Sequence, residues 1–231
     1  MLRRRSCPIP AARRPRWQHR RRMATAGAIG RYLSSQAAKP HGMVGTLMAR
    51  NWLRESAAVN DVAVELLHPA SGERICEIGF GPGRTLGLLA AAGADVVGVE
   101  VSPDMVAMAS RRNAGSVVAE RMRLHQGDGA TLPVASDSLD AVIGVHTIYF
   151  WAEPATTLTE VARALRSGGR LVLAFRDGEH PVPARFDPAV YHLPTTAEAG
   201  DWLHRAGFTG IGVERRPDIA AAVVWVTAAM P

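Results

Sequence analysis

The stretch that most constrains this chain runs from Arg74 to Leu86 and reads RICEIGFGPGRTL. It opens with a short apolar run, which is typical of a parallel strand buried on both faces. Glycines at alternate positions follow, and the alanine- and leucine-rich segment up to Ala92 predicts a helix. A strand, a glycine turn and a helix N-terminus bring backbone amides close to a ligand, because glycine has no Cβ to block the approach. The stretch therefore predicts an α/β fold with a ligand site at the turn.

Acidic residues stand at the ends of this strand and of two further apolar strands. Glu77 lies two residues before Gly79, Glu100 ends the second strand, and Asp128 follows the third. A carboxylate beside the glycine turn would repel a phosphate and attract a cation. An acid after the second strand is placed to accept hydrogen bonds from ribose hydroxyls. Three acidic strand ends therefore indicate a pocket for an adenosine that carries positive charge.

Several motifs in this order resemble the class I S-adenosylmethionine-dependent methyltransferases. The resemblance is strongest to their small-molecule branch (methyltransferase type 11), which includes the quinone methyltransferases, and it covers roughly residues 43–228. It rests on Glu77-x-Gly79-x-Gly81-x-Gly83, Glu100 followed by Ser102-Pro-Asp-Met105, Gly127-Asp128-x-x-x-Leu132-Pro133, Ser138-Leu-Asp140, and Leu165-Arg-Ser-Gly168-Gly169. It implies a three-layer, Rossmann-like, doubly wound α/β sheet of seven mostly parallel strands with a C-terminal antiparallel hairpin.

The resemblance also implies S-adenosyl-L-methionine as the cofactor and assigns its contacts. The residues so assigned are Glu77, Gly79, Gly81 and Gly83 for the methionine end, Glu100 for the ribose, Asp128 and Gly129 for adenine, and Val101 and Ala130 beside them. Met105 is either part of the adenine pocket or an ordinary core residue. In the helical segment 43–68, Asn51 or Asn60 could reach the methionine end.

The acceptor side is predicted at His146–Trp151, which follows the fourth strand, because ligands of open α/β sheets bind beyond the carboxyl ends of the strands. Family members that methylate nucleobase amino groups often carry Asn-Pro-Pro-aromatic here, and this chain does not. The aromatic residues favour a small apolar or aromatic acceptor. His146 is a candidate general base for a hydroxyl acceptor, or merely a hydrogen-bonding residue of the loop. The loop 176–194 is expected to cover this side.

Positive charge is concentrated at the N-terminus. Residues 1–22 hold nine arginines and no acid, and removing these nine from the formal +6 leaves −3 for residues 23–231. This balance disfavours nucleic acid as a partner of the folded domain, and no apolar run is long enough to span a bilayer. We expect residues 1–42 to be a disordered basic extension and residues 43–231 to form the methyltransferase domain. The expected compartment is the cytoplasm, or an organelle if the arginine-rich segment is a presequence; an electrostatic arm is a third interpretation.

The predicted function is transfer of a methyl group from S-adenosylmethionine to a small molecule by in-line displacement, in which alignment makes a dedicated nucleophile unnecessary. One alternative is a non-catalytic protein that binds S-adenosylmethionine or adenosine. A less favoured one is a nicotinamide-dependent oxidoreductase, whose Gly-x-Gly-x-x-Gly fingerprint fails here because Arg84 stands at its last glycine. No metal is predicted, since His180 and His192 match no ligand spacing. The acceptor and the oligomeric state are left open.

Overall fold

The computed structural model describes residues 27–231. The strands are β1 (Arg74–Ile78), β2 (Asp95–Glu100), β3 (Met122–Gln126), β4 (Leu139–Val145), β5 (Leu165–Arg176), β6 (Thr209–Glu214) and β7 (Val223–Ala229). The helices are α1 (Ala28–Ala38), α2 (Gly42–Glu55), α3 (Ala57–Leu67), α4 (Arg84–Ala91), α5 (Pro103–Arg112), α6 (Ala114–Val118), α7 (Pro154–Ala164), α8 (Thr196–Arg205) and α9 (Pro217–Ala220), with a 3-10 turn at Ile148–Phe150. None of these helices is both long and apolar enough to cross a membrane.

The seven strands form one sheet in the order β3-β2-β1-β4-β5-β7-β6. The pairs β1–β2, β1–β4, β2–β3 and β4–β5 are parallel. Strand β7 runs antiparallel to both of its neighbours, β5 and β6. The predicted Rossmann-like sheet with its C-terminal hairpin is therefore confirmed. The strand order reverses between β1 and β4, which is where open α/β sheets bind their ligands.

The core lies on both faces of the sheet because successive residues of a strand point to opposite sides. Ile75 of β1 belongs to one buried cluster with Leu67 of α3 and Leu86 of α4. Cys76, the next residue, belongs to the opposite cluster with Leu158 of α7. Burial raises the pKa of the Cys76 thiol to about 12, so this free cysteine packs as a small apolar residue. Helices on both faces hold the strand ends rigidly beneath the site.

The N-terminal boundary of the folded chain differs from the prediction. Helix α1 lies within residues 28–42, which were expected to belong to a disordered extension, so that expectation is wrong for this part. The reason is a set of polar anchors: Ser34 is 2 % exposed and its hydroxyl donates to the Arg185 carbonyl at 3.2 Å and accepts from the Asp187 amide at 2.9 Å. Composition does not reveal such contacts. The arginine-rich residues 1–22 lie outside the described residues.

A second predicted segment is divided in the structure. The helical segment predicted over 43–68 is two helices, which meet at Ser56. The paired glycines Gly168 and Gly169 lie within β5, which begins at Leu165 and pairs there with Leu139. The short helix α9 lies between β6 and β7.

Candidate active site

A cavity of about 580 Å³ lies beyond the carboxyl ends of the central strands, at the switch point of the sheet. This volume is in the range of small-molecule sites. We call the part lined by Glu77, Glu100 and Asp128 the acidic end. We call the opposite part the aromatic end; its lining residues are His146, Tyr149, Phe150, Trp151, Arg176, Arg185, Phe186 and Tyr191. Helices α1, α2 and α3 contribute further lining residues.

The glycine turn after β1 takes a left-handed backbone at each of its three glycines, with φ of +73° at Gly79, +50° at Gly81 and +79° at Gly83. A Cβ on Gly79 would collide with the side chain of Thr147. A Cβ on Gly81 would meet no atom within 4 Å, and Gly81 lines the cavity, so a side chain there would occupy ligand space. Gly83 is the N-cap residue of α4 and lies outside the cavity lining.

Glu77 is a buried carboxylate with an unsatisfied oxygen. The residue lines the cavity and is 3 % exposed, and its Oε2 atom has no hydrogen-bond partner among the described residues. Burial and then the neighbouring Glu100 carboxylate raise the pKa of Glu77 to about 8, against the opposing effect of the Thr85 hydroxyl and the Leu86 amide. A buried, unpaired carboxylate is costly unless a cation or a donor reaches it. The acidic end is therefore suited to a positively charged ligand.

Glu100 ties the end of β2 to the glycine turn. Its Oε2 atom accepts from the Gly81 amide at 3.0 Å and its Oε1 atom accepts from the Ser102 amide at 2.9 Å. Burial raises the pKa of this carboxyl, while the amides of Ser102, Gly81 and Val101 oppose the shift. Since a carboxylate offers about four acceptor positions, capacity remains for a ligand hydroxyl.

The adenine contacts implied by the resemblance are brought together only in part. Asp128 and Val101 line the cavity, and Asp128 Oδ1 accepts from the Ala130 amide at 3.0 Å, which holds the loop after β3 in a turn. Gly129 and Ala130 are absent from the lining. Met105 is fully buried, and it too lies outside the lining, so the structure places it in the core.

His146 is held by a short hydrogen-bond chain at the aromatic end. The Arg176 amide donates to the Tyr149 hydroxyl at 2.5 Å, and that oxygen lies 2.8 Å from His146 Nδ1. We assign the tyrosine proton to Nδ1, because Tyr149 is buried and this leaves no hydroxyl donor unsatisfied. The His146 proton then resides on Nε2. Burial lowers the pKa of His146 to about 4, so the neutral ring is a weak base.

Aromatic rings from two segments meet at this end. The rings of Phe186 and Tyr191 stack with centroids 4.3 Å apart and planes 8° apart. The centroid of the Tyr191 ring also lies 5.0 Å from that of Phe150 and 5.9 Å from that of Tyr149. The sequence identified the residues after β4 but treated the loop 176–194 only as a cover, so Phe186 and Tyr191 were missed. Their signal was weak, because two aromatic residues in a proline-rich loop have no diagnostic spacing.

Helix α1 and the turn after it form a roof over the cavity. The Ser102 hydroxyl donates to the Pro40 carbonyl at 2.5 Å, and the Gly42 amide donates to Asp104 Oδ2 at 2.7 Å. Asn60 of α3 lines the cavity with its Oδ1 atom unpartnered, whereas Asn51 is exposed and outside the lining. Of the two asparagines that the sequence proposed, the structure therefore brings only Asn60 to the site.

The sheet order, the glycine turn and the acidic strand ends define a class I methyltransferase. Residues 76–173 match the family Methyltransf_11, described as a methyltransferase domain. The uncharacterized methyltransferase YdaC of Bacillus subtilis is 30% identical over 127 residues, which are 54% of this chain and 68% of YdaC. The chain belongs to the class I S-adenosylmethionine-dependent methyltransferases.

Two further comparisons agree with this membership. The O-methyltransferase cnsE of Penicillium expansum is 31% identical over 156 residues, which cover 64% of this chain and 56% of cnsE, so the match spans little more than half of that relative. A chain in the complex of the Haloferax volcanii Trm112 methyltransferase activator with a putative methyltransferase superimposes with a TM-score of 0.70. It is 18% identical and the match covers 86% of this chain and 97% of the other, which shows a shared fold.

Proposed function

We propose that this protein transfers a methyl group from S-adenosylmethionine to a small-molecule acceptor, with the donor bound at the acidic end. The observation that carries the proposal is Glu77 Oε2, which is buried and has no partner within residues 27–231, in a residue that lines the cavity. A ligand with an ammonium group would supply the missing donor and the missing charge. The open space beside Gly81 is a second point of fit, since a ligand can approach that backbone closely.

The donor, when bound, supplies a methyl carbon attached to a positively charged sulfur. Glu77 would hold its amino group, Glu100 the ribose hydroxyls and Asp128 the adenine amino group. These roles follow the sequence prediction, and the observed cavity lining supports them for all three residues. Gly83, Met105, Gly129 and Ala130 would act through the shape of the site, because they do not line the cavity.

The chain's part in the reaction is to align the two substrates and to exclude water. Holding two reactants in a productive geometry can contribute about 7–11 kcal/mol, so no protein nucleophile is required. The roof and the loop 177–195, which are joined through Ser34, shield the cavity from water. Exclusion of water strengthens charge interactions inside it.

We further propose that His146 orients the acceptor by donating from Nε2, in place of the general-base role predicted from the sequence. Two observations support this change: its Nδ1 atom pairs with Tyr149, and burial lowers the pKa of the ring to about 4. A base that weak would remove a proton from a phenol, of pKa about 10, with little efficiency.

Calorimetry with S-adenosylhomocysteine and with NAD tests the donor assignment. We expect S-adenosylhomocysteine to bind and NAD not to bind. Glu77→Gln should lower the affinity for S-adenosylhomocysteine by at least tenfold. Glu65→Gln is the matched control, because Glu65 is 59 % exposed and lies outside the cavity lining. Binding of NAD alone would support the oxidoreductase alternative, which family membership leaves without support.

Methyl release separates an enzyme from a non-catalytic binder of the same ligand. Purified protein with S-adenosylmethionine labelled on the methyl group would be incubated with libraries of aromatic acids, phenols and quinones. Transfer of label to any acceptor supports the proposed activity. Tight donor binding with no transfer across all the libraries would favour the binder.

A further inference from the structure

In the part of the chain that the structure describes, two arginines at the aromatic end have no carboxylate partner. Arg176 ends β5 and Arg185 follows in the loop, and both line the cavity. Within residues 27–231 neither takes part in an ion pair. Arg84, which also lines the cavity, is by contrast paired with Asp61 at 2.7 Å. The aromatic end therefore keeps positive charge without an ion-pair partner, whereas the acidic end presents carboxyl groups.

Hydrogen-bond donors without acceptors belong to the same end. Among residues 27–231, Trp151 Nε1 and Arg176 Nε are both buried and without a partner, and both residues line the cavity. Trp151 is only 4 % exposed, so water does not readily satisfy its indole N–H. Buried donors are nearly always paired in proteins, which makes two unpaired ones beside one cavity a sign of a ligand acceptor group.

The chemistry of these donors indicates an anionic oxygen group. Indole and guanidinium nitrogens can only donate, and the Nε2–H assigned to His146 adds a third donor. A carboxylate has about four acceptor positions and forms short, strong hydrogen bonds with a guanidinium. Two other unpartnered atoms of residues that line the cavity, Glu77 Oε2 at the acidic end and Asn60 Oδ1 on α3, are instead acceptors. The two ends thus favour ligand groups of opposite charge.

The remaining surface of the aromatic end is suited to a flat ring. Phe186 and Tyr191 stack almost in parallel, with Phe150 beside them. The Arg185 guanidinium lies 5.2 Å from the centroid of the Phe186 ring, which fixes the charge next to the aromatic surface. Aromatic side chains favour offset or edge contacts with a further ring.

We propose that the aromatic end binds a planar aromatic acceptor that carries an ionised carboxylate, an inference that rests on the proposed function. The carboxylate accepts from the Trp151 indole and the Arg176 guanidinium, and the ring packs against Phe150, Phe186 and Tyr191. Such a molecule is already ionised at neutral pH, since carboxyl groups have pKa values near 4. Its recognition therefore requires no proton transfer to His146.

The test compares two probes of one shape by calorimetry on protein saturated with S-adenosylhomocysteine. We expect 2-naphthoate to bind at least tenfold more tightly than 2-naphthamide, which has the same rings and no charge. Cyclohexanecarboxylate, which keeps the charge and lacks the flat ring, should bind more weakly than 2-naphthoate. Trp151→Phe keeps an aromatic ring and removes the N–H, so it should weaken binding of 2-naphthoate about fivefold. Binding of 2-naphthamide, whose carbonyl is a neutral and weaker acceptor, should fall by less.

Arg176→Met should remove most of the preference for the acid over the amide. Arg205→Gln is the matched control, because Arg205 is 69 % exposed on α8 and should leave both affinities unchanged. Equal binding of acid and amide, no binding of 2-naphthoate, or an unaltered preference in both Trp151→Phe and Arg176→Met would overturn the inference. The affinity for S-adenosylhomocysteine is measured first. If the wild-type protein does not bind it, the proposed function is refuted. If it binds but the acid and the amide bind equally, only this inference is refuted.

Discussion

The acidic end and the aromatic end of the cavity are built in different ways. The acidic end comes from strand ends and a glycine turn between Glu77 and Asp128, so backbone geometry places every group. The aromatic end takes side chains from the segment after β4, from Arg176 and from the loop 177–195, under a roof supplied by α1. Substitutions at the acidic end should therefore disturb stability together with donor binding. Substitutions at the aromatic end should change acceptor preference.

The largest effect is expected from Glu100→Ala. Loss of this carboxylate leaves the Gly81 and Ser102 amides without their acceptor, and each buried unpaired group costs about 1–3 kcal/mol. The free energy of unfolding should fall by about 2–4 kcal/mol, and the affinity for S-adenosylhomocysteine should fall by more than about 1 kcal/mol. Urea unfolding and calorimetry measure the two quantities. Unchanged values for both quantities would contradict the claim that the acidic end supports stability and donor binding together.

The pH dependence of donor binding tests Glu77. Its pKa of about 8 in the free protein means that a proton must leave before the carboxylate can hold a cation. Affinity for S-adenosylhomocysteine should therefore rise about tenfold from pH 6 to pH 7, with proton release. Glu77→Gln should abolish this slope and Glu65→Gln should keep it. A wild-type affinity independent of pH in this range would contradict the assignment.

The same shift predicts a stability trend for the ligand-free protein. Because the pKa of Glu77 is raised from 4.5 to about 8, its contribution is fully present below pH 4.5 and is lost as pH rises through 8. Between pH 6 and pH 9, Glu77→Gln should consequently show a smaller decline in the free energy of unfolding than wild type. Urea unfolding across this range provides the measurement, and parallel curves for the two proteins would count against a buried, protonated Glu77.

A pair of glycine substitutions separates backbone strain from loss of ligand space. Gly81 and Gly72 both have positive φ, +50° and +81°, and an added Cβ would meet nothing within 4 Å at either. Each alanine variant should lose about 1–2 kcal/mol of stability, because the left-handed backbone disfavours a Cβ. Only Gly81→Ala should lower the affinity for S-adenosylhomocysteine, by about tenfold, since Gly72 lies outside the cavity lining. Equal affinities would mean that Gly81 does not face the ligand.

The smallest effect is expected from Ser34→Ala, at the roof of the aromatic end. The hydroxyl joins α1 to Arg185 and Asp187, so its removal loosens the loop without touching the acidic end. We expect a few-fold higher KM for the acceptor with the affinity for S-adenosylhomocysteine unchanged. Ser35→Ala is the control, since the Ser35 hydroxyl bonds only within its own helix, to Tyr32. A larger loss of donor affinity than of acceptor affinity would contradict the assignment of Ser34 to the aromatic end.

The two ends also differ in how far the sequence predicts them. Apolar strands, alternate glycines and acids at strand ends are local patterns, so the sheet and the carboxylates of the acidic end could be predicted. The roof could not, because Ser34 bonds to a carbonyl 151 residues away and no periodicity records that contact. His146 was recognised by position, yet its tautomer depends on an amide of the neighbouring strand, at Arg176. Long-range polar contacts are what sequence patterns do not encode.

Helix α1 is fastened on two sides, through Ser34 to the loop over the aromatic end and through Pro40 to Ser102 beside the acidic end. Both bonds come from the short segment between Ser34 and Pro40, so a displacement of this helix would loosen contacts at the two ends of the cavity together.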